Sequence, residues 1–228
     1  MASGPDSVAL MADLTLVIGN RNYSSWSMRP WVLMRAKQIE FEEIQIPLFQ
    51  PESLHRKLEY SPAGKVPVLI ADGVHVWESL AILERLAELF PERELWPRDD
   101  PARAVARSVA AEMHAGFEGL RTHMPMNCRA SLPGRGRGPG VTEEIARVSD
   151  LWRDCRTRFG QDGEFLFGEF GNADAMFAPV VSRFHTYGVE VRGVEADYAE
   201  AVLSHPAVTE WFAAAREERW TVPQYELG

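Results

Sequence analysis

Cysteine is scarce in this chain of 228 residues, which contains only Cys128 and Cys155. Two cysteines are too few for a disulfide framework, and their spacing is not the CxxC of a redox pair or of half a zinc site. Long apolar runs are also missing, since no stretch approaches the roughly 18 consecutive apolar residues of a membrane-spanning helix. We therefore expect a protein of a reducing, cytoplasmic compartment that does not enter a membrane.

Positive charge is in deficit, with 24 Lys and Arg against 33 Asp and Glu and a net charge of −9. This balance excludes a general nucleic-acid binder and a binder of anionic membrane surfaces. Hydrophobic residues make up 46% and charged residues 25% of the chain, which excludes a disordered or low-complexity protein. The composition predicts a soluble, folded protein.

Several motifs of well-known sites are absent. The sequence has no GxxxxGK(S/T) or GxGxxG phosphate loop, no GxSxG elbow and no HExxH. Its six histidines show no metal-ligand spacing, so we expect no metal. The Gly- and Arg-rich run 134–140 lacks interleaved aromatics and is interpreted as a loop between helices. Residues 1–12 have no basic segment typical of a signal peptide and are predicted to be a disordered tail.

Strand and helix patterns alternate over the first 90 residues. Runs at 14–18, 43–47, 66–70 and 74–77 are typical of strands, and the last two flank an Asp-Gly turn. Helices are predicted up to about Lys37, from Pro51 to Tyr60, and from Ser79, as its N-cap, to Phe90. The predicted order β-α-β-α-β-β-α is that of a small α/β layer structure over residues 13–90.

Only helical periodicity follows the predicted linker 91–100. Apolar residues spaced by three and four predict one long helix from Val105 to Met124, then helices over 145–159, 176–184 and 208–215. Residues 101–228 are therefore expected to form a second, all-helical domain.

The first predicted helix begins in Ser24-Ser25-Trp26-Ser27, with Ser25 or Ser27 as its N-cap and Pro30 in its first turn. A helix N-terminus carries unpaired N–H groups and a partial positive charge, so it stabilises anions. In a thioredoxin-like layout a redox CxxC would lie here, and serine cannot replace it. A serine hydroxyl can donate to the thiolate of another molecule, or it can serve only as a cap.

Three motifs in order resemble the cytosolic glutathione S-transferases, in the bacterial serine-type branch near the zeta and theta classes. They are Tyr23-Ser-Ser-Trp-Ser-Met-Arg-Pro-Trp31, Ser61-Pro-Ala-Gly-Lys-Val-Pro-Val-Leu69 and Trp77-Glu-Ser-Leu-Ala-Ile82. The resemblance covers residues 13–225. It implies a thioredoxin-like N-terminal domain, an all-helical C-terminal domain, glutathione as co-substrate, no metal and a homodimer.

The resemblance assigns thiol activation to Ser24 or Ser25, with a preference for Ser24, which aligns with the first serine of the zeta pattern Ser-Ser-Cys-Ser-Trp-Arg. Trp26 departs from that pattern, because zeta enzymes have cysteine at this position. The departure concerns isomerase activity of the maleylacetoacetate type and not glutathione binding.

Five further residues would hold glutathione. Val66 and Pro67 match the family's cis-proline pair, beside which the peptide backbone would lie. Glu78 and Ser79 match its acidic-Ser pair and would bind the γ-glutamyl ammonium and carboxylate groups. Lys65 would attract the carboxylates of the tripeptide.

The helical part would supply an electrophile pocket. Its candidate residues are Arg29, His114, Arg121 and His123, whereas the predicted packing residues of the long helix are Met113, Phe117 and Met124. The sequence thus predicts a glutathione transferase, with two alternatives: a glutathione-dependent cis–trans isomerase of the maleylacetoacetate type, or a non-catalytic ligand-binding protein of the same fold.

A capping box is expected at Gly171-Asn-Ala-Asp174, where the family usually has Ser or Thr first. Asp174 can reach back to the N–H of residue 171. The pattern predicts that Gly171→Ser stabilises the protein by a few tenths of a kcal/mol.

Overall fold

The computed structural model describes residues 13–227, so the predicted tail at 1–12 lies outside the described residues. The amino-terminal elements are β1 (Leu14–Ile18), α1 (Ser25–Ala36), β2 (Glu42–Gln45), α2 (Ser53–Leu58), β3 (Val68–Ala71), β4 (Val74–Trp77) and α3 (Ser79–Leu89). The carboxyl-terminal helices are α4 (Asp100–Ala115), α5 (Glu118–His123), α6 (Val141–Phe159), α7 (Asn172–Tyr187), α8 (Val194–Ser204) and α9 (Pro206–Glu217). The predicted fold class is confirmed.

The four strands form one mixed sheet in the order β2-β1-β3-β4. β1 pairs parallel to β2 and antiparallel to β3, and β3 pairs antiparallel to β4. Side chains alternate across the sheet, so Leu16 and Ile18 pack into the main core with α1 and α3, while Val17 packs with Ile46 on the opposite face. The third strand was predicted to begin at Val66, whereas β3 begins two residues later, at Val68.

One apolar core joins the sheet to the helices. α7 is buried along almost its whole length and packs against α1, α4 and α8. Its Phe177 and Val181 belong to the same cluster as Met28 and Val32 of α1. The N-terminus of α1 is thereby held between the sheet and α7. No helix in residues 13–227 is long and apolar enough to cross a membrane.

The predicted long helix 105–124 is wrong, because it is two helices. α4 ends at Ala115, Gly116 is extended, and Phe117 has a left-handed φ of 58° before α5 begins. Met113, Phe117 and Met124 are buried in the core as predicted. α8 was not predicted from the sequence, although its Tyr198 and Val202 are buried.

Candidate functional site

Ser24 begins α1, as its N-cap. Its Oγ accepts a hydrogen bond from the backbone N–H of Ser27 (3.4 Å) and donates one to Ser27 Oγ (2.8 Å). Ser27 Oγ in turn accepts from the N–H of Gly19 (3.0 Å) at the end of β1. The predicted caps Ser25 and Ser27 are therefore helical residues, and Pro30 is the sixth residue of the helix.

Ser25 is held between two arginines. Its Oγ accepts from Arg183 Nη2 (3.2 Å), and its backbone oxygen accepts from Arg29 Nη1 (3.3 Å). Arg183 also donates to the backbone oxygens of Met124 (2.7 Å) and Pro179 (3.1 Å). The first residue of α1 is thus fixed by a side chain from the middle of α7.

The N-terminus of α1 forms one wall of a cavity, and the starts of β3 and α3 form the opposite wall. The Val66–Pro67 peptide bond is cis. Glu78 precedes α3 with φ 68°, a conformation that non-glycine residues seldom adopt. Ser79 is the first residue of α3 rather than its predicted N-cap. Its Oγ is buried and has no hydrogen-bond partner among the described residues.

A cavity of about 640 Å³ separates these two walls, a size usual for small-molecule sites. It brings together nine of the predicted residues, namely Ser24, Ser25, Lys65, Val66, Pro67, Glu78, Ser79, His114 and Arg121. Residues distant in the sequence therefore meet at one cavity, although their roles in it stay a prediction.

Two predicted pocket residues lie elsewhere. Arg29 is completely buried, and its guanidinium carbon lies 4.0 Å from the centre of the Trp26 ring. His123 is covered by the glycine-rich loop, where a Cβ added to Gly138 would lie 2.3 Å from the imidazole. Neither is among the residues that line this cavity, and their role in an electrophile pocket stays a prediction.

The cavity also contains residues that the sequence analysis did not assign to it. Among them are Phe49 and Lys57 before and within α2, Arg183 on α7, and Tyr225 near the carboxyl end. The rings of Phe49 and Tyr225 are 5.9 Å apart at nearly right angles. No local pattern marks these positions, because only tertiary packing brings them to Ser24.

Positive charge dominates the cavity. Lys57, Lys65, Arg121 and Arg183 line it, against the single carboxylate of Glu78. Burial first, and then Arg121, lowers the pKa of Arg183 to about 10, so this side chain stays charged at neutral pH. Burial also lowers the pKa of His114, against the opposing effect of Glu78, whose carboxylate lies 3.8 Å away.

The segment after α9 contributes Tyr225 to the lining of the cavity and is anchored to the loop before α1. The Glu218 carboxylate accepts from the backbone N–H groups of Arg21 (2.6 Å) and Asn22 (3.0 Å), in the loop before Ser24. Arg129 donates to the backbone oxygen of Glu218 (2.7 Å) and to the hydroxyl of Tyr23 (2.8 Å). These bonds hold the segment across the cavity, where Tyr225 reaches it.

Residues 23–89 match the family model described as glutathione S-transferase, N-terminal domain. These are the residues that supply the serine wall, the cis-proline and the start of α3. Over these residues the chain is similar to the glutathione S-transferases.

Individual relatives match the amino-terminal part of the chain. It is 34% identical over 100 residues to a probable maleylacetoacetate isomerase of Caenorhabditis elegans, covering 44% of this chain and 46% of that protein. It is 32% identical over 105 residues to glutathione S-transferase 1 of Dianthus caryophyllus, covering 46% and 48%. The chain thus spans about half the length of the curated relatives it matches.

Solved structures share the whole fold. A glutathione transferase homolog from Burkholderia, solved with bound glutathione, superposes with a TM-score of 0.69 at 23% identity. The match covers 90% of this chain and 100% of that one. The similarity to the glutathione S-transferase fold therefore extends through the carboxyl-terminal helices.

Proposed function

We propose that this chain is a glutathione transferase, in which the thiolate of bound glutathione attacks a small electrophile. The observation that carries the proposal is the buried, unpartnered Oγ of Ser79, in a cavity whose opposite wall holds the hydroxyls of Ser24 and Ser25. A buried hydroxyl without a partner is costly, and a ligand carboxylate at the start of α3 would satisfy it.

Glutathione would lie across the cavity in an extended form. Its γ-glutamyl carboxylate would accept from Ser79, and its ammonium group would face Glu78. The backbone of Val66 would pair with the cysteinyl unit, in the manner of an added strand. Lys57 and Lys65 would attract the glycyl carboxylate, which places the sulfur at Ser24 and Ser25.

Thiol activation supplies only part of the rate. A thiol with a pKa of about 8.5 is roughly 3% thiolate at pH 7, and lowering that pKa by about two units makes it mostly thiolate. The intrinsic reactivity of a thiolate falls as its pKa falls, which cancels much of this gain. Orientation of the electrophile over the sulfur must contribute the rest, and we expect His114 and Arg121, which line the cavity, to provide it.

A glutathione-dependent isomerase of the maleylacetoacetate type is the second candidate. Arg121 and Arg183 give the cavity a positive lining suited to a substrate that carries carboxylates. Two proteins similar to this chain, from Rattus norvegicus and Mus musculus, are named maleylacetoacetate isomerase. The two activities share the glutathione site and differ in the second substrate.

We also propose a cytoplasmic homodimer with domains at 13–90 and 101–228, joined by the linker 91–100. The edge strand β4 exposes 54% of Val74 and 41% of Trp77, and an apolar sheet edge of this kind favours burial against a partner. Cys128 and Cys155 are unpaired, which is typical of a reducing compartment.

The test is glutathione binding by calorimetry, followed by assays with chlorodinitrobenzene and maleylacetone. Ser79→Ala should weaken glutathione binding about 10-fold, the effect of losing a hydrogen bond to a charged group. Ser108→Ala is the matched control, because Ser108 is exposed on α4 and bonds only the backbone oxygen of Ala104 among the described residues. Turnover of maleylacetone alone would favour the isomerase.

A protein that binds glutathione and turns over neither compound, with or without its serines, would be the non-catalytic ligand-binding protein. Absence of both binding and turnover would overturn the assignment altogether.

A further inference from the structure

We propose that Ser25, and not Ser24, donates the hydrogen bond to the glutathione sulfur, and that Arg183 is the positioning residue that orients and polarises its hydroxyl. The inference rests on the proposed function, since it concerns the same cavity. It assigns separate tasks to two adjacent serines that both line this cavity.

The hydrogen bonds of Ser24 are used within the protein. Its Oγ accepts the N–H of Ser27 and donates to Ser27 Oγ, which is itself tied to Gly19. Turning this hydroxyl toward the cavity would break the N-cap of α1 and the link between β1 and α1. Ser24 therefore stabilises the start of the helix.

The hydroxyl of Ser25 has the opposite arrangement. Its oxygen accepts from Arg183 Nη2 at 3.2 Å, while its own hydrogen has no acceptor among the described residues. A hydroxyl that accepts from a cation becomes a stronger donor. The free hydrogen of Ser25 is thus available to a thiolate in the cavity.

Arg183 can act on this hydroxyl because its charge is not cancelled. The side chain is buried, and its partners besides Ser25 are the backbone oxygens of Met124 and Pro179. Within residues 13–227 it forms no ion pair with a carboxylate. Its effect on the sulfur runs through Ser25, because a hydroxyl strengthened as a donor favours the thiolate form that accepts from it and so lowers the thiol pKa.

The test measures the pKa of bound glutathione from the ultraviolet absorbance of its thiolate as a function of pH. Ser25→Ala and Arg183→Met should each raise this pKa by about one unit or more, which leaves roughly 10-fold less thiolate well below the pKa. Ser24→Ala should lower the melting temperature and leave the pKa within a few tenths of the wild-type value.

Two further variants separate chemistry from folding. Arg183→Lys keeps the charge and should therefore retain much of the lowering of the thiol pKa. If Arg183 acts through Ser25, the rise in thiol pKa caused by Arg183→Lys should be smaller in a Ser25→Ala background than in the wild type. Arg156→Met is the matched control, because Arg156 also holds backbone oxygens, those of Gly160, Gly163 and Phe165, away from the cavity. It should destabilise the protein without moving the thiol pKa.

A raised pKa in Ser24→Ala with none in Ser25→Ala would overturn the serine assignment. Additive shifts in Arg183→Lys and Ser25→Ala, or an unchanged pKa in the arginine variants, would overturn the role of Arg183. If Arg183→Met does not fold, Arg183→Lys alone and combined with Ser25→Ala decides this point. Wild-type protein that binds no glutathione would instead defeat the proposed function.

Discussion

Buried charges at the start of α1 and α7 are held by backbone groups rather than by opposite charges. Arg29 donates to the backbone oxygens of Ser25 and Met176 and stacks on Trp26. Asp174 accepts from the backbone N–H groups of Leu166 (3.0 Å) and Gly171 (2.9 Å). Because burial of a charge is costly even when it is hydrogen-bonded, such residues make stability depend on pH.

Asp174 is a buried residue whose shifted pKa makes the stability of the protein depend on pH. Burial raises its pKa to about 6, and the two backbone N–H groups only partly oppose the shift. The native state therefore binds a proton at a pH where the unfolded chain, with a pKa of about 3.9, has released it. We expect this contribution to stability to be present below about pH 4 and to be lost as the pH rises to about 6, by up to about 3 kcal/mol.

Urea unfolding of the wild type and Asp174→Asn between pH 4 and 7 measures this effect. The wild type should lose stability relative to the variant across that range, and the difference should level off above about pH 7. Asp162→Asn, at an exposed site, is the control and should show a constant difference. A parallel pH dependence of wild type and Asp174→Asn would contradict the prediction.

At the scale of elements, the structure reverses the predicted effect of Gly171→Ser on stability. Asp174 does bond the N–H of Gly171, as predicted. A Cβ at position 171, however, would lie 3.0 Å from the backbone oxygen of Leu95, which already accepts the N–H of Asn172 (2.9 Å). We now expect Gly171→Ser to destabilise the protein by about 1 kcal/mol through crowding.

Thermal unfolding of Gly171→Ser and Gly171→Ala tests this expectation. Both variants add the same Cβ, so both should melt below the wild type, while serine alone adds a capping hydroxyl and should lose less. A higher melting temperature for Gly171→Ser would show that the cap outweighs the crowding.

Elements were predictable where the signal is local. Strand alternation and the Asp-Gly turn located β3 and β4, and the Ser, cis-Pro and Glu-Ser motifs located the cavity walls. The end of α4 was not predictable, since Phe117 fits the apolar spacing of the preceding helix while its backbone is left-handed. Phe49 and Tyr225 were missed as lining residues because tertiary packing alone brings them to the cavity.

At the scale of the whole molecule, Glu218 joins the carboxyl-terminal segment to the loop before α1. Its buried carboxylate accepts from two backbone N–H groups and from the side chain of Gln45. Glu218→Gln replaces one acceptor oxygen with a donor, so we expect a loss of about 1–3 kcal/mol in stability. Glutathione should also bind more weakly, because the loop positions Ser24 and Ser25.

Chemical unfolding and glutathione calorimetry of Glu218→Gln check both effects. Glu217→Gln removes the same charge at the exposed neighbouring position and serves as the control. Unaltered glutathione affinity in a clearly destabilised Glu218→Gln would show that the loop holds its shape without the carboxyl-terminal segment.

The contact between Glu218 and Arg21 spans 197 positions of the chain, and this sets an order of events during synthesis. A ribosome releases the amino-terminal strands and α1 long before α7 and residues 218–226 exist, and domains begin to fold as they emerge. Ser25 then lacks Arg183, and the cavity lacks the wall at Tyr225. The nascent chain acquires a complete site only after residues 218–226 have been translated.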